Sequence, residues 1–382
     1  MKIVIAPDSF KGNLPAASVC EAIAAGLHDV DPAVTIVSMP LADGGEGTAR
    51  AITNAAGGEF RRVQVKGPLG DPVQAEFGLI RGGKTAVLDM ASASGIELLK
   101  ADRLNPMKTS TWGTGELIHA ALESGAKELV LGIGGSATND GGVGMALALG
   151  FDVLDAEGNP VPLGGEGLAS IASVKCDRRD PLLEGVSILI ACDVTNPLLG
   201  PKGATRTFGP QKGATAETIP FLEAGLSKLA NAWKGAGLAD NVDQPGDGAA
   251  GGLGAALRVL LKAEMRSGAR TVMEYAGFDK AIADASLVIT GEGMTDSQTA
   301  GGKLCSVVAS QCRLSHVPIA LLSGGLGGEV SQLLETFDYA VSTSCGQVTL
   351  EAMMRDAPRD LRFAAANLLR AWKLGAASAK NR

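Results

Sequence analysis

Short apolar runs, each followed at once by a loop rich in glycine and small polar residues, recur from one end of the chain to the other. Several of these loops lead into stretches whose apolar residues have helical spacing, such as Val19, Ile23 and Leu27. Strands that alternate with helices in this way predict an α/β fold built on a parallel sheet. In chain order, the loops are "APDSFKG", "LADGGEGT", "GIGGSATNDGG", "ACDVTNP" and "TGEGMTDSQT".

The middle of the chain breaks this rhythm. The segments "FRRVQVKGP", "VQAEFGLI" and "KTAVLDM" read as three strands joined by short turns, which predicts an antiparallel meander. Because 382 residues exceed one ordinary core, we expect two α/β domains. The first, with a parallel sheet formed by both chain ends, is placed in residues 1–60 and 285–382. The second, inserted and with a mixed sheet, is placed in residues 61–284.

The amino-acid composition excludes some classes of function. The net charge is −7, there is no dense run of Lys or Arg, and aromatic residues make up only 4%, so no nucleic-acid partner is expected. The six cysteines form no C-x-x-C pair, which indicates reduced thiols and a cytoplasmic protein. No apolar stretch approaches the ~20 residues that a membrane helix needs. These features favour a small-molecule substrate and leave a homo-oligomer open.

Two short motifs suggest nucleotide binding but fit their context poorly. The segment "GLIRGGKT" (78–85) satisfies the P-loop pattern, yet its Lys84 opens a strand instead of a helix, so we interpret it as a hairpin turn. The segment "GIGGSA" (132–137) satisfies a dinucleotide-binding pattern, with Asp152 near the place of the ribose-binding acid. Polar residues and glycines follow where that motif needs a helix. An NAD-dependent dehydrogenase therefore stays a remote alternative.

The loops together favour phosphoryl transfer. Ligands of open α/β sheets bind at the carboxyl ends of strands, where these loops lie. Phosphoryl transfer needs positioning and charge stabilisation, which carboxylates, lysines and glycine-rich N–H groups provide. Hard oxygen ligands suit Mg²⁺. Taken singly, each residue also has a structural explanation: Asp8 and Asp43 could satisfy turns, Asp193 and Asn196 an Asx turn, and Lys212 could be a solvated charge.

The loops resemble the signature stretches of the type 1 bacterial glycerate kinases. The matching strings stand in that family's order from residue 3 to about residue 303, and so cover most of the chain. Several long strings matching in order are far more specific than any short motif. The strings are "IAPDSFKG", "ADGGEGT", "TGELI", "GIGGSATNDGG", "ACDVTNPL", "FGPQKGAT", "GAAGGLGAAL" and "LVITGEG".

The resemblance implies an enzyme that phosphorylates D-glycerate with ATP and Mg²⁺. We favour transfer to the 2-hydroxyl, with glycerate 3-kinase activity or a related hydroxy-acid kinase as alternatives. A more remote alternative is a catalytically inactive protein of the same fold that binds metabolites. The resemblance also implies one flavodoxin-like domain, one domain likened to restriction endonucleases, and an active site in the cleft between them.

Matching the family's stretches to this chain, residue by residue, implies a set of site residues. Those expected to be catalytic are Asp8, Lys11, Asp43, Asp193, Lys212 and Asp296. Those expected to bind D-glycerate or ATP are Ser9, Glu46, Gly134, Gly135, Ser136, Thr138, Asn139, Asn196, Gln211, Gln298 and Lys303. Those expected to bind Mg²⁺ are Asp140 and Glu292.

The expected roles follow from the side chains. One of the four catalytic aspartates would position or deprotonate the substrate hydroxyl, and Lys11 and Lys212 would stabilise developing charge. The glycines around Ser136 would let the backbone approach an anion closely. One position departs from the resemblance, because Met294 stands where the family usually has Arg. If that Arg binds the substrate carboxylate or a phosphate, another residue must do so in this chain.

Overall fold

The computed structural model describes residues 1–296, 304–328, 330–346 and 348–380. Its strands are β1 (Lys2–Ile5), β2 (Thr35–Ser38), β3 (Glu59–Lys66), β4 (Pro72–Ile80), β5 (Thr85–Asp89), β6 (Glu128–Gly132), β7 (Asp152–Leu154), β8 (Ser173–Lys175), β9 (Ser187–Ala191), β10 (Glu264–Arg266), β11 (Leu287–Thr290), β12 (Met294–Thr295), β13 (Ile319–Ser323), β14 (Gly325–Leu326) and β15 (Tyr339–Ser342). Its helices are α1 (Ala16–His28), α2 (Thr48–Ala55), α3 (Ala91–Ser94), α4 (Trp112–Glu123), α5 (Val143–Ala148), α6 (Ala204–Phe208), α7 (Thr218–Gly235), α8 (Leu253–Leu261), α9 (Gly268–Ala276), α10 (Phe278–Ile282), α11 (Leu304–Leu314), α12 (Leu333–Thr336) and α13 (Leu350–Lys380).

The chain divides into two compact units, one made of Met1–Asp43 with Ala269–Arg382 and the other of Gly44–Gly268. These boundaries differ from the predicted ones at 60/61 and 284/285. The segment after Asp43 joins the inserted unit because α2 packs on β4 and β5 of that unit's sheet. At the other end, α9 and α10 belong to the unit that contains the chain ends.

The unit formed by both chain ends is built on a five-stranded sheet in the order β2-β1-β11-β13-β15. Every pair in it is parallel, which confirms the predicted parallel sheet. Numbered within this unit alone, the strand order is 2-1-3-4-5, the order of flavodoxin-like sheets. In that order the chain reverses direction across the sheet between β1 and β11, so ligands are expected at the carboxyl ends of these two strands.

A helix pair on this sheet shows why its segments pack as they do. Ile3 and Ile5 of β1 are buried with Ile23 of α1 and Leu361 of α13 in one apolar cluster. The two helices touch at Gly26, where an added Cβ would lie 2.1 Å from the carbonyl oxygen of Arg362. Glycine is therefore required at this position for the helices to approach each other.

The inserted unit is built on a six-stranded sheet in the order β10-β9-β6-β5-β4-β3. The β3-β4 and β4-β5 pairs are antiparallel, whereas β5-β6, β6-β9 and β9-β10 are parallel. This confirms the predicted mixed sheet with its meander. The P-loop-like segment is a hairpin turn, as interpreted from the sequence: β4 ends at Ile80, Gly82 and Gly83 have positive φ, and β5 begins at Thr85.

Two further findings concern the whole described chain. All six cysteines are free thiols. Within the described ranges, no helix is both long enough and apolar enough to cross a membrane.

Candidate active site

The first group of candidate residues lies at the carboxyl ends of β1 and β11. The chain leaves β1 alongside β11, since the backbone N–H of Asp8 donates to the carbonyl of Gly291 at 2.8 Å. This brings Asp8 and Glu292 to the point where the strand order reverses. Both side chains are buried, at 7% and 8% exposure.

Burial dominates the chemistry of Asp8. It raises the pKa of this carboxyl to about 7, and the carboxylates of Asp43 and Glu292 add to the rise, while Lys11 and the N–H of Ser9 oppose it. That N–H donates to Asp8 Oδ1 at 2.7 Å, which orients the carboxyl group. A carboxyl group with a pKa near neutrality can both accept and release a proton at physiological pH.

Lys11 and Asp43 form an ion pair in this group, with 2.6 Å between Nζ and Oδ2. The Lys11 side chain is 69% exposed, so the pair contributes little to stability. The pair instead places a cation beside the carboxylates, because both side chains act electrostatically on Asp8.

Glu292 is held by its neighbours. The hydroxyl of Thr295 donates to Glu292 Oε1 at 3.0 Å, and the N–H of Gly324 donates to the Glu292 backbone carbonyl, also at 3.0 Å. Asp296 follows β12 on the same loop.

Met294 is 56% exposed, and its Sδ would lie 2.9 Å from a Cβ added at Gly325. Gln298 and Lys303 lie outside the described residues.

The second group lies in the inserted unit, on the loop after β6. Ser136, Thr138, Asn139 and Asp140 are all buried, and Lys212 reaches them from a 3₁₀ turn at Pro210–Lys212. Lys212 Nζ donates to Ser136 Oγ at 2.6 Å and to the carbonyl of Thr138 at 2.7 Å. Lys212 is 1% exposed, which overturns the alternative that it is a solvated surface charge.

Lys212 lacks a counter-charge in hydrogen-bonding contact. Over the described ranges, no carboxylate forms an ion pair with it, although Asp140 acts on it from a distance. Burial lowers the pKa of Lys212 to about 7, and Asp140 opposes that shift. A buried ammonium without a counter-charge is costly, which is why the neutral form of Lys212 becomes accessible near pH 7.

Two acceptors of this loop are also unsatisfied. The hydroxyl oxygen of Thr138 and the amide oxygen of Asn139 are buried without a hydrogen-bond partner. The amide nitrogen of Asn139 donates to Thr205 Oγ1 at 3.0 Å, which fixes the orientation of that side chain. Both oxygens can therefore accept a further hydrogen bond.

Asp140 has a different environment. Its Oδ2 accepts the N–H of Thr111 at 2.8 Å, the hydroxyl of Thr111 at 2.9 Å and the N–H of Gly144 at 3.2 Å. Its Oδ1 accepts the N–H of Gly142 at 3.2 Å. Burial raises the pKa of Asp140, and these hydrogen bonds oppose the rise. This arrangement favours a role in organising the loop over the predicted role as a Mg²⁺ ligand.

The loop with Glu46 packs directly against this glycine-rich loop. The N–H of Gly134 donates to the carbonyl of Gly44 at 3.3 Å, and a Cβ on Gly134 would lie 2.6 Å from Gly45 Cα. Gly134 is therefore needed for contact between two protein segments, whereas Gly135 has a φ of +73° and is exposed. Glu46 is exposed on the same loop.

Three other predicted site residues have surroundings that do not by themselves indicate a ligand-binding role. Asp193 Oδ1 accepts the N–H of Gly268 at the start of α9, at 3.0 Å. Asn196 donates to the carbonyl of Lys202 at 2.7 Å, and its own carbonyl accepts N–H groups from two glycines of the 246–248 turn. Gln211 is exposed beside the buried Lys212. The described contacts of Asp193 and Asn196 are those of residues that shape loops.

Comparison with known proteins identifies the family. The model of the Glycerate kinase family matches residues 3–373. The "Glycerate 2-kinase" of Escherichia coli (strain K12) is 45% identical over 378 residues, which is 98% of this chain and 99% of that protein. The chain belongs to the glycerate kinase family. It is therefore an enzyme, a phosphotransferase of that family, as predicted.

Other glycerate kinases agree. The "Glycerate kinase" of Bacillus subtilis (strain 168) is 44% identical over 98% of both chains. The crystal structure of a "putative glycerate kinase 2" from Salmonella typhimurium LT2 matches with a TM-score of 0.85 and 42% identity, covering 98% of this chain and 99% of that one. The α/β fold of this chain is thus shared with a solved relative, and the dehydrogenase alternative is wrong.

The structure also shows two residues that support the site loops and that the sequence analysis did not identify. Thr111 supplies two of the donors to Asp140, and Asp89 accepts N–H groups from the loop that carries Glu46. Asp89 is the last residue of β5, and a charged residue at the end of an apolar strand is the signal that could have indicated it. Thr111 had no comparable signal, since its partners lie 29 and 34 residues away.

Proposed function

We propose that this glycerate kinase transfers the terminal phosphoryl group of ATP to the 2-hydroxyl of D-glycerate, giving 2-phospho-D-glycerate and ADP. The name of the Escherichia coli relative supports the position of transfer. The structural observation that carries the proposal is Lys212, a buried cation without an ion-pair partner among the described residues. Both substrates are anions, and either a phosphate or the glycerate carboxylate would supply the missing charge.

Lys212 is proposed to stabilise negative charge in the reaction. Its ammonium is fixed by two acceptors, Ser136 Oγ and the Thr138 carbonyl, which leaves its third N–H donor for a ligand. A donor that is already oriented costs no reorganisation when charge develops. The unsatisfied oxygen of Thr138 offers a further polar contact in the same loop.

Asp8 is proposed as the carboxylate that orients the substrate hydroxyl and accepts its proton. Burial and neighbouring carboxylates bring the pKa of Asp8 to about 7. The backbone N–H of Ser9 fixes its orientation at 2.7 Å. The exposed Lys11, paired with Asp43, is proposed to attract the anionic substrates to this group of residues.

Mg²⁺ fits the donors of this same group. Asp8, Asp43 and Glu292 supply hard carboxylate oxygens, and burial together with the charges of Asp43 and Glu292 raises the pKa of Asp8. Across the described residues, no three such side chains are arranged to hold a metal by themselves. That agrees with a Mg²⁺ ion held by one or two carboxylates and by substrate phosphates. Such an ion would neutralise phosphate charge, and Asp43 or Glu292 would hold it.

The test is a kinetic assay with the full chain, MgATP and D-glycerate, with L-glycerate as control. We expect ADP release with D-glycerate and immediate conversion of the product by enolase, followed at the absorbance of phosphoenolpyruvate. A product that enolase accepts only after phosphoglycerate mutase is added would show transfer to the 3-hydroxyl. An absence of ADP release from folded protein would contradict the proposal altogether.

A further inference from the structure

The geometry points to Asp89 as a positioning residue that holds the loop Gly44–Gly47, and with it Glu46, in place for the phosphoryl-transfer reaction. Asp89 ends β5 and is buried. It does not belong to the residue set expected from the loops after strands, because its neighbours in sequence form no glycine-rich loop. This inference rests on the proposed function and on the expectation from the sequence that Glu46 binds D-glycerate or ATP.

The carboxylate of Asp89 caps a helix that cannot cap itself. Its Oδ2 accepts the N–H of Gly47 at 2.9 Å, and its Oδ1 accepts the N–H of Ala49 at 3.0 Å. Gly47 is the N-cap residue of α2, with a φ of 90°, and its lack of a side chain leaves the first N–H groups of the helix unsatisfied. A carboxylate 42 residues away in sequence replaces the missing cap.

Asp89 also stands where the two glycine-rich loops meet. It is the register partner of Gly132, the last residue of β6, from which the second loop leaves. A Cβ on Gly132 would lie 2.9 Å both from Asp89 Oδ1 and from the carbonyl oxygen of Gly44. Asp89, the Glu46 loop and the start of the Ser136 loop therefore pack as one layer, in which a shift of one part displaces the others.

A neutral side chain would cap the N-terminus of α2 at a lower cost in free energy than a buried carboxylate. A Ser or Asn side chain satisfies an N-terminal N–H without burying a charge, whereas burial raises the pKa of Asp89 to about 7 despite the two N–H donors. The carboxylate differs from those neutral caps because it accepts from two amides at once, one on each side of Thr48. It thereby fixes the direction in which the chain leaves Glu46.

The test compares Asp89→Asn with Asp180→Asn. Asp180 is the matched control, since it is a largely buried carboxylate of the same unit that caps the N–H of Leu182 at 2.9 Å, in a segment without predicted site residues. For Asp89→Asn we expect kcat/KM to fall ~10- to ~100-fold, because a small displacement of a contact group has that effect. For Asp180→Asn we expect a change of less than about 3-fold.

A double-mutant cycle separates positioning from general destabilisation. If Asp89 acts through Glu46, the variant with both Glu46→Gln and Asp89→Asn should lose no more activity than the worse of the two single variants. Additive losses, or wild-type kinetics in folded Asp89→Asn, would overturn the inference. Melting temperatures of all variants show which losses come from unfolding.

Hydrogen exchange tests the inference independently of turnover. In Asp89→Asn, the amides of residues 45–50 should exchange faster while the rest of the inserted unit keeps its protection, and Asp180→Asn should leave residues 45–50 unchanged. Unchanged exchange at Gly47 and Ala49 would overturn the inference even if the kinase activity is confirmed. Faster exchange there, in a protein that does not phosphorylate D-glycerate, would sink only the proposed function.

Discussion

Lys212 donates to Ser136 over 2.6 Å inside a loop that buries both side chains, although 76 residues separate them in sequence. The contact ties Lys212 to a glycine-rich loop whose polar side chains are buried. No carboxylate among the described residues pairs with Lys212, and burial lowers its pKa to about 7, so the charged and neutral forms of this side chain both occur near neutral pH.

Replacing the Lys212 cation should remove much of the catalysis. For Lys212→Met, which keeps the length of the side chain, we expect kcat to fall ~10²- to ~10³-fold, by analogy with the loss of other preorganised electrostatic contacts. Lys202→Met is the matched control, because Lys202 is exposed in the same region and should be dispensable. Steady-state kinetics with D-glycerate decide the matter, and a folded Lys212→Met enzyme with near-normal kcat would refute the role.

The rate should depend on pH in both directions. Asp8 must be ionised to accept a proton, so kcat/KM should rise as pH approaches its pKa of about 7. Lys212 must be protonated, so kcat/KM should fall as pH passes its own pKa of about 7. The expected profile is a narrow bell. Lys212→Arg, which stays charged, should lack the descending limb, and a descending limb that persists would assign it to another group.

Stability should show the same titration of Lys212. Its pKa in the folded protein is about 7, below the ordinary value of 10.5, so between these values the unfolded chain binds the extra proton. The contribution of Lys212 to the free energy of unfolding therefore rises with pH across this window, by at most ~1.4 kcal/mol per pH unit.

Urea unfolding at several pH values from 6.5 to 9.5 would measure this effect. Lys212→Met should be most stabilised relative to wild type at the lowest pH, and the difference should shrink as pH rises. Lys202→Met should show a difference that does not vary with pH. A constant difference for Lys212→Met would mean that Lys212 keeps an ordinary pKa.

Asp140 should prove to be structural. Asp140→Asn leaves several buried N–H groups without a full acceptor, so we expect the free energy of unfolding to fall by about 3 kcal/mol. Asp155→Asn is the control, since Asp155 also accepts two backbone N–H groups but lies in an exposed turn. Urea unfolding measures both. If Asp140→Asn keeps its stability and instead raises the Mg²⁺ concentration needed for activity, the metal-ligand role is correct.

Gly134 should tolerate no side chain. In Gly134→Ala the new Cβ would meet Gly45 Cα at 2.6 Å, so the Glu46 loop must move, and we expect kcat/KM to fall at least ~10-fold. Gly235→Ala, at a position in α7 with open space, should be neutral or slightly stabilising. Equal kinetics for both variants would show that the contact between the two loops does not matter for turnover.

The sequence by itself predicted the main strands and their order along the chain. Apolar periodicity is local, so β1, the β3-β4-β5 meander and the hairpin at Gly82 and Gly83 could be read directly. The loops after strands were also located correctly, because the ends of parallel strands attract polar residues wherever a sheet is built in this way.

Only the tertiary structure decided which residues meet. The unit boundaries moved from 60 and 284 to 43 and 268, because a helix such as α2 can pack on either of two sheets and its own pattern does not say which. Likewise, buried Lys212 contacts Ser136, which lies 76 residues away in sequence. Asp89 caps α2 through Gly47, which lies 42 residues away. Such contacts depend on chain closure and on the shape of the packed core, which no local pattern encodes.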